Sequence, residues 1–404
     1  PPLKNIYPQS PDRRRPFFPN PHPLPPAARG GQAGARRAGF AAFFLSGLCA
    51  ISSGVVVSLL QQRYGLAYGL TGTLLSVMSA GNLLAAFLAG VLPGRIGLKP
   101  TALTLCAGYA LGYGLMCLTG LPVWLALAFG LVGLAKGCAL NVCTILVGDN
   151  VPDRTRGMNA MHSCYACGAL LCPFVAAAAG ALGPAGPTLA LTLAGLGLWA
   201  VFLAAPGMAA GGGKKQPIDW GFLRSGQFWI LTALLFCQNG AETSVTGWLV
   251  TYFTDQGILS ASVSPYTVTL LWGATMAARL WLAFVRPPRA PRRAMIWMGL
   301  GCTVFYAGLM LARTQAPALL LLLGFALSIA GMNPTAVGCA GRMTSVTSLG
   351  VMLPVAGLGA VVMPWAIGLV ADAVGLRLGM ACNLLPCAGL LLFAQLAARA
   401  PEAD

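Results

Sequence analysis

The sequence is poor in charge: only 8% of its 404 residues are Asp, Glu, Lys or Arg, and only nine of those are acidic. A water-soluble globular protein carries about 25% charged residues, so this chain cannot cover a water-exposed surface with charge. Apolar residues are plentiful, at 57% of the chain and a mean hydropathy of +0.75. Disordered, collagen-like and disulfide-scaffold classes are excluded by the same numbers. The composition indicates a polytopic helical membrane protein.

Catalytic and metal-binding signatures are also missing. The sequence has no G-x-S-x-G, no H-E-x-x-H and no glycine-rich phosphate loop, which mark serine hydrolases, zinc proteases and nucleotide-binding enzymes. Nearly all of the 13 cysteines lie in apolar runs, where cysteine packs as a small hydrophobic residue. The single C-x-x-C, at Cys164 and Cys167, lacks the second pair that a zinc site would need. We therefore expect no enzymatic activity, no metal and no cofactor.

Twelve apolar runs are each close to the length of about 20 residues that a helix needs to cross a bilayer. They fall into two sets of six, numbered here as spans one to twelve in chain order. The first set covers residues 38–60, 70–94, 100–119, 122–148, 158–182 and 185–206. The second set covers residues 226–253, 265–286, 293–312, 317–339, 349–371 and 377–398.

The segments outside the spans are short, apart from the first one. Residues 1–37 are rich in proline and arginine, and we expect them to form a disordered tail. The arginines before span one could also mark a signal peptide, but the apolar run ends without an A-x-A-like site and eleven spans follow. We expect span one to be a membrane helix. Residues 207–225 form a cytoplasmic linker, and residues 399–404 form a C-terminal tail.

The basic residues between the spans predict the orientation of the chain. With the N-terminus in the cytoplasm, 20 of the 25 lysines and arginines lie on the cytoplasmic side and three on the other, as the positive-inside rule requires. We expect both termini to be cytoplasmic and the protein to reside in the inner (plasma) membrane. The formal charge of +16 is then mostly a topology signal. Without a soluble basic domain, we expect no nucleic-acid partner.

The two sets of spans are related by an internal repeat. An offset of 191 residues places span one on span seven and the segment 168–174 (GALLCPF) on 359–365 (GAVVMPW). It also places Arg95, after span two, on Arg286, after span eight. Six spans separate the copies, an even number, so both copies have the same orientation. The sequence therefore predicts an all-α membrane protein with twelve transmembrane helices in two six-helix bundles, 38–206 and 226–398.

Three segments of the chain resemble the signatures of a known family. The loop after span two, 90–99 (GVLPGRIGLK), is similar to the signature G-x-L-[AS]-D-R-x-G-R-[RK] of the major facilitator superfamily, with Gly94 in place of the acid. Span five (Asn159-x-x-His162-x-x-Tyr165-x-x-Gly168-x-x-x-x-Pro173) and the segment 239–252 of span seven (NGAETSVTGWLVTY) resemble its fucose/glucose-permease-like sugar:proton symporter branch. The resemblance implies that spans one, four, seven and ten line a central cavity. Acids that this branch often carries in spans one and four are absent, and span four has Lys136.

Ionisable side chains inside the spans are the first candidates for a functional site, because each costs at least about 2.5–3.5 kcal/mol at mid-membrane and normally faces a cavity or a partner. Glu242 is predicted to carry a coupled proton, with a hydrogen-bonding hub as the structural alternative. Lys136 is predicted to bind an anionic substrate group or to neutralise Glu242, with snorkelling to the interface as the alternative. His162 is either a second proton-coupling residue or a hydrogen-bonded structural histidine.

Polar and aromatic side chains complete the candidate site. The predicted substrate-binding residues are Lys136, Asn141, Gln238, Asn239, Trp272, Asn333 and Tyr165. The predicted gating residues are Arg95, Asp149, Arg279 and Arg286.

The function we expect is secondary active transport of a small polar solute by a monomer that works by alternating access. The expected solute is a sugar or a related metabolite, either neutral or anionic. Proton-coupled symport is favoured because span five lacks the adjacent Gly-Pro of drug:proton antiporters. The alternatives are a proton-coupled exporter of a metabolite or drug and, in another class, a non-transporting membrane sensor on the same fold. The expected partners are the solute, protons and the lipid bilayer.

Overall fold

The computed structural model describes residues 26–151, 154–206, 208, 221–286, 288–341 and 346–399. Within these residues the secondary structure is helical, without a strand. The first half of the chain contains α1 (Pro26–Ala50), α2 (Ser53–Tyr64), α3 (Tyr68–Val91), α4 (Pro93–Ile96), α5 (Leu98–Leu118), α6 (Pro122–Gly148), α7 (Arg154–Gly180) and α8 (Gly186–Ala204). Most of the linker predicted at 207–225, and the C-terminal tail, lie outside the described residues.

The second half begins with a 3₁₀ turn, Gly221–Arg224. It contains α9 (Gly226–Asp255), α10 (Tyr266–Leu280) with a π-helical turn at Trp281–Val285, α11 (Pro291–Leu311), α12 (Gln315–Ile329), α13 (Met332–Gly341), α14 (Val346–Val374), α15 (Leu376–Ala381) and α16 (Leu384–Arg399). Each of the twelve predicted spans is therefore occupied by one helix or by two consecutive helices.

Ten helical stretches within the described residues are long and apolar enough to cross a membrane. The other two predicted spans correspond to α9, whose middle carries Gln238, Asn239 and Glu242, and to α10, which has 15 residues before its π-helical turn. Large apolar side chains point outward from the bundle; Leu118 is 83% exposed and Trp297 72% exposed. Such an exterior matches a lipid environment, where the backbone polar groups must be paired within the helices.

The start of the first helix differs from the prediction. Span one was predicted to begin at residue 38, whereas α1 begins at Pro26 and includes residues that were assigned to the disordered tail. Proline is favourable in the first turn of a helix because its missing N–H is not needed there. The alanines and arginines that follow are good helix formers. Residues 1–25 lie outside the described part of the chain.

Three predicted spans are broken in the structure. The breaks fall at Ile51-Ser52, at Ala330-Gly331 and at Cys382-Asn383. A break leaves carbonyl groups without the N–H partner of a continuous helix, so another group must satisfy them. In the first break, the hydroxyl of Tyr113 donates to the carbonyl of Cys49 over 2.5 Å.

The same helix pairs pack together in both halves. In the first half α1 packs on α7, α5 packs on α6 and α8, and α3 packs on α6. In the second half α9 packs on α14, α11 packs on α12 and α16, and α10 packs on α12. The halves meet through α3 with α14, through α7 with α10 and through α2 with α9, and the first two of these contacts exchange under the 191-residue offset. This arrangement confirms the two like-oriented bundles that the internal repeat predicts.

Candidate functional site

A cavity of about 290 Å³ lies between the two halves, at the depth of Lys136. Four helices of the first half (α1, α3, α6 and α7) and one helix of the second half (α10) supply its walls. The lining residues are Phe43, Asn82, Lys136, Leu140, His162, Ser163, Tyr165, Ala166, Trp272, Thr275, Met276, Arg279 and Leu280. The cavity therefore joins charged side chains from both halves to a mainly apolar and aromatic surface.

An ion pair stands at the second-half wall of this cavity. Arg279 Nη2 lies 3.4 Å from Glu242 Oε1. The Arg279 side chain is 40% exposed and the Glu242 side chain 19% exposed. Arg279 lines the cavity, whereas Glu242 lies behind it and does not.

The break between α12 and α13 explains the position of Arg279. Its Nε donates to the carbonyl oxygen of Ala330 over 2.9 Å. In a continuous helix that carbonyl would accept from residue 334, but Pro334 has no N–H. The free carbonyl is also at the negative end of the α12 dipole, which attracts a cation. Pro334 thus creates the acceptor that holds Arg279 next to Glu242.

Two amide side chains extend the ion pair into a network. Asn333 Nδ2 donates to Gln238 Oε1 over 3.0 Å, and Gln238 Nε2 donates to Glu242 Oε2. Gln238 is completely buried. The network links α9, α10 and α13, and in it the Glu242 carboxylate accepts from a guanidinium and an amide. Three predicted site residues, Glu242, Gln238 and Asn333, are therefore brought together.

Lys136 lies in the first-half wall, mid-way along α6. It makes no hydrogen bond or ion pair with any residue that the structure describes. The structure pairs Glu242 with Arg279 of α10, and both roles predicted for Lys136 stay predictions.

Glycines place Lys136 beside α3. A Cβ on Gly137 would lie 2.5 Å from the carbonyl oxygen of Asn82, so glycine allows a close approach of α6 to α3 at this level. Gly133, one turn earlier, meets the backbone of α3 at Met78 in the same way. The two glycines flank Lys136 and bring Asn82 into the same wall.

Aromatic rings form a second part of the cavity wall, which is apolar. The Phe43 ring lies 4.8 Å from the Tyr165 ring and 5.5 Å from the His162 ring, which it meets edge-on. Trp272, from the second half, completes the aromatic surface, and its indole N–H is buried without a hydrogen-bond partner among the described residues. The predicted residues Tyr165, Trp272 and His162 therefore do line the cavity.

Several predicted residues lie elsewhere. Asn141 donates to the carbonyl of Gly137 within α6 over 2.9 Å, and neither Asn141 nor Asn239 lines the cavity. Among the predicted gating residues only Arg279 does; the other three are exposed at the predicted cytoplasmic end of the bundle: Arg95, Asp149 and Arg286. Their gating role stays a prediction.

Eight of the thirteen lining residues were missed by sequence reasoning, among them Asn82, Phe43 and Thr275. Asn82 is a polar amide within an apolar run, and this signal could have identified it. Phe43 and Thr275 carry no comparable signal, because aromatic residues and threonines are common in membrane helices. Their role depends on which helix face meets the cavity.

The two halves are joined at the predicted outer end, where α2 ends and α3 begins. Asp372 Oδ2 accepts a hydrogen bond from the backbone N–H of Gly69 over 2.8 Å, and the Tyr68 hydroxyl donates to Asp255. Deeper along α3, the Ser76 hydroxyl donates to the carbonyl of Val361 over 2.5 Å. The capping residue of α3, Ala67, has no side-chain acceptor. Asp372 of the other half therefore supplies the cap that the N-terminus of α3 lacks.

Comparison with family models gives a match to the Major Facilitator Superfamily over residues 39–353. Comparison with curated proteins by sequence gives no match.

Solved structures with a similar fold are numerous. A bacterial homologue of the human lysosomal transporter Spinster, in an inward-facing and occupied conformation, has a TM-score of 0.71 and 13% identity, with 94% of this chain and 100% of that chain covered. A D-xylose-proton symporter has a TM-score of 0.71 and 14% identity, with 92% and 98% covered. The nucleoside transporter NupG has a TM-score of 0.70 and 13% identity, with 91% and 98% covered. At these identities the likeness extends to the fold alone.

Proposed function

The chain belongs to the major facilitator superfamily, and we propose that it is a secondary transporter that moves a small polar solute by alternating access through the cavity between its halves. The single observation that carries this proposal is the position of the charges. Lys136 and Arg279 come from opposite halves and line one cavity. Charged groups at membrane depth are costly and mark solute or ion pathways.

The contacts between the halves support an alternating-access cycle. Asp372, Asp255 and Tyr68 hold the halves together at the predicted outer end. Movement of the halves about the cavity would break these contacts and expose the site to the opposite side. We propose that this conformation, with the halves joined at the predicted outer end, is an inward-facing state.

Glu242 is the proposed proton-coupling residue. Ionised, it pairs with Arg279; protonated, it loses the charge that holds the guanidinium. Proton uptake would thus release Arg279 toward the cavity, where its side chain is already 40% exposed. Coupling follows because the solute and Glu242 compete for one cation. His162, which lines the cavity, is the proposed group that exchanges protons between Glu242 and water. The direction we propose is symport into the cell.

The test is solute-driven proton movement in proteoliposomes that contain a pH-sensitive dye. D-xylose, gluconate, benzoate and uridine are supplied in turn to the purified full-length chain. We expect at least one of them to drive proton entry, and we expect Glu242→Gln to abolish proton entry while it retains exchange of labelled solute across the membrane. Glu242→Asp keeps a carboxyl group and should keep part of the coupling.

Two results would count against the proposal. Unchanged proton entry in Glu242→Gln would remove Glu242 from the coupling role. Binding of a solute without any flux would favour a sensor on the same fold.

A further inference from the structure

We infer that the cavity between the halves takes an organic anion with a single negative charge and a flat apolar body, such as an aromatic carboxylate, in preference to a sugar. The inference rests on the proposed function in one respect only, that this cavity is the transport site. It specifies the chemical class of the solute.

The charge balance of the cavity calls for an anion. Glu242 offsets Arg279, but the Lys136 ammonium has no hydrogen-bond or ion-pair partner in the described part of the chain. Snorkelling does not relieve it, because Lys136 stands 14 residues from the start of α6 and 12 from its end, or roughly 18 Å or more along the axis. An unpaired ammonium at this depth gains from a bound anion.

The walls favour a flat apolar body over a densely hydroxylated solute. Phe43, Tyr165 and Trp272 present aromatic surface, and Leu140, Met276 and Leu280 add aliphatic surface. The uncharged polar side chains on the walls are Asn82, His162, Ser163 and Thr275. A sugar places a hydroxyl on nearly every carbon, and so small a number of polar partners would leave several of these hydroxyls unpaired after they lose their water. A flat apolar body would instead pack against the rings.

The size of the cavity restricts the body of the solute. Its volume of about 290 Å³ is at the lower end of the roughly 300–1,000 Å³ typical of small-molecule sites. One aromatic ring with its carboxylate suits that volume, with the carboxylate between Lys136 and Arg279, the two cations that line the cavity.

Proton and anion together keep the charge of the site constant. The empty site holds Lys136, Arg279 and ionised Glu242, a net charge of +1. With Glu242 protonated and a monoanion bound, the net charge is again +1. The proton leaves the aqueous phase with the anion and bonds to Glu242, so no charge is transferred across the membrane. The loaded and the empty protein then change conformation with the same electrostatic free-energy cost.

Binding of benzoate to the purified full-length protein in detergent, measured by calorimetry and by thermal shift, tests the inference. Benzyl alcohol has the same ring without the charge, and gluconate has the same charge on a hydroxylated chain. We expect benzoate to bind about 10- to 100-fold more tightly than benzyl alcohol, the range expected for a charge-assisted contact, and more tightly than gluconate or D-xylose.

Variants of Lys136 and Trp272 separate the contribution of charge to the binding affinity from that of packing. Lys136→Met should lower benzoate affinity by about 10- to 100-fold and leave the affinity for benzyl alcohol unchanged. Lys136→Arg should retain most of the benzoate affinity. Trp272→Leu should weaken both aromatic probes alike, and it keeps the test decisive if Lys136→Met fails to fold.

Each outcome decides the matter. Gluconate or D-xylose binding as tightly as benzoate, a Lys136→Met variant with unchanged benzoate affinity, or no benzoate binding at all would overturn the inference. Benzoate binding without benzoate flux in proteoliposomes would leave the solute class of the site intact and overturn transport instead.

Discussion

The contact between Asp372 and the N-terminus of α3 allows a quantitative prediction about the conformational equilibrium. The Asp372 carboxylate accepts from the Gly69 N–H over 2.8 Å, across the two halves and at an otherwise uncapped helix end. Asp372 is exposed, so solvent screens its charge and its contribution is that of a helix N-cap, about 0.5–2 kcal/mol. Since about 1.4 kcal/mol corresponds to a factor of ten, Asp372→Ala should shift the equilibrium toward an open outer end by about 2- to 30-fold.

Hydrogen exchange followed by mass spectrometry measures this shift directly. If opening of the outer end exposes the first turns of α3, the exchange rate of residues 68–76 reports the population of the open state. We expect Asp372→Ala to speed exchange there by the factor given above. Asp372→Asn should have a smaller effect, because its amide oxygen still accepts without the charge.

Thr73→Val is the matched control for Asp372→Ala. The Thr73 hydroxyl donates to the Gly69 carbonyl within α3 over 2.8 Å. Its loss therefore removes a hydrogen bond at the same end of the protein but no hydrogen bond between the halves. The control should leave the exchange of the other half unchanged. Equal exchange in Asp372→Ala and the unsubstituted protein would show that this contact does not hold the halves together, and the reasoning would be refuted.

Three further predictions follow from contacts described above. Tyr68→Phe, which removes the hydroxyl donor to Asp255, should speed exchange at the same residues by less than Asp372→Ala, and a slower exchange would contradict the proposed outer contact. Gly137→Ala places a methyl group 2.5 Å from the Asn82 carbonyl oxygen, whereas Gly130→Ala meets nothing closer than 3.4 Å. Gly137→Ala should therefore cost about 1–3 kcal/mol of stability and lower the melting temperature, and Gly130→Ala should not. A thermal melt of both variants checks this. Benzoate affinity should rise as pH falls, because protonation of Glu242 frees Arg279, and Glu242→Gln should bind benzoate tightly at every pH; a pH titration by calorimetry in which both proteins behave alike would argue against the competition.

The charged residues of the site could be predicted because burial of charge is a local property of an apolar run. Lys136 and Glu242 stand out in the sequence for that reason alone. The structure places Lys136 in the first-half wall of the cavity and Glu242 behind the second-half wall. The polar stripe on α9 also identified Gln238, which bonds to Glu242. Asn239, only one residue away from Gln238, points to a different helix face, and residue type alone could not separate the two.

The pairing of the charges could not be predicted in the same way. Arg279 was predicted to be a gating residue, yet its position depends on a break in another helix at Ala330. Pro334 was the available signal, since a proline within an apolar run leaves a carbonyl free. Which cation reaches that carbonyl depends on the packing of α10 against α12, a contact far apart in the chain.

The division of the site between the halves has a consequence for affinity. Because Lys136 is attached to one half and Arg279 to the other, a bound solute acts as a temporary crosslink that is complete only when both walls are close. Any movement of the halves that opens the cavity on one side separates the two cations and lowers the affinity for the solute. The tightest complex is therefore the occluded one, and release on either side of the membrane is a direct result of opening.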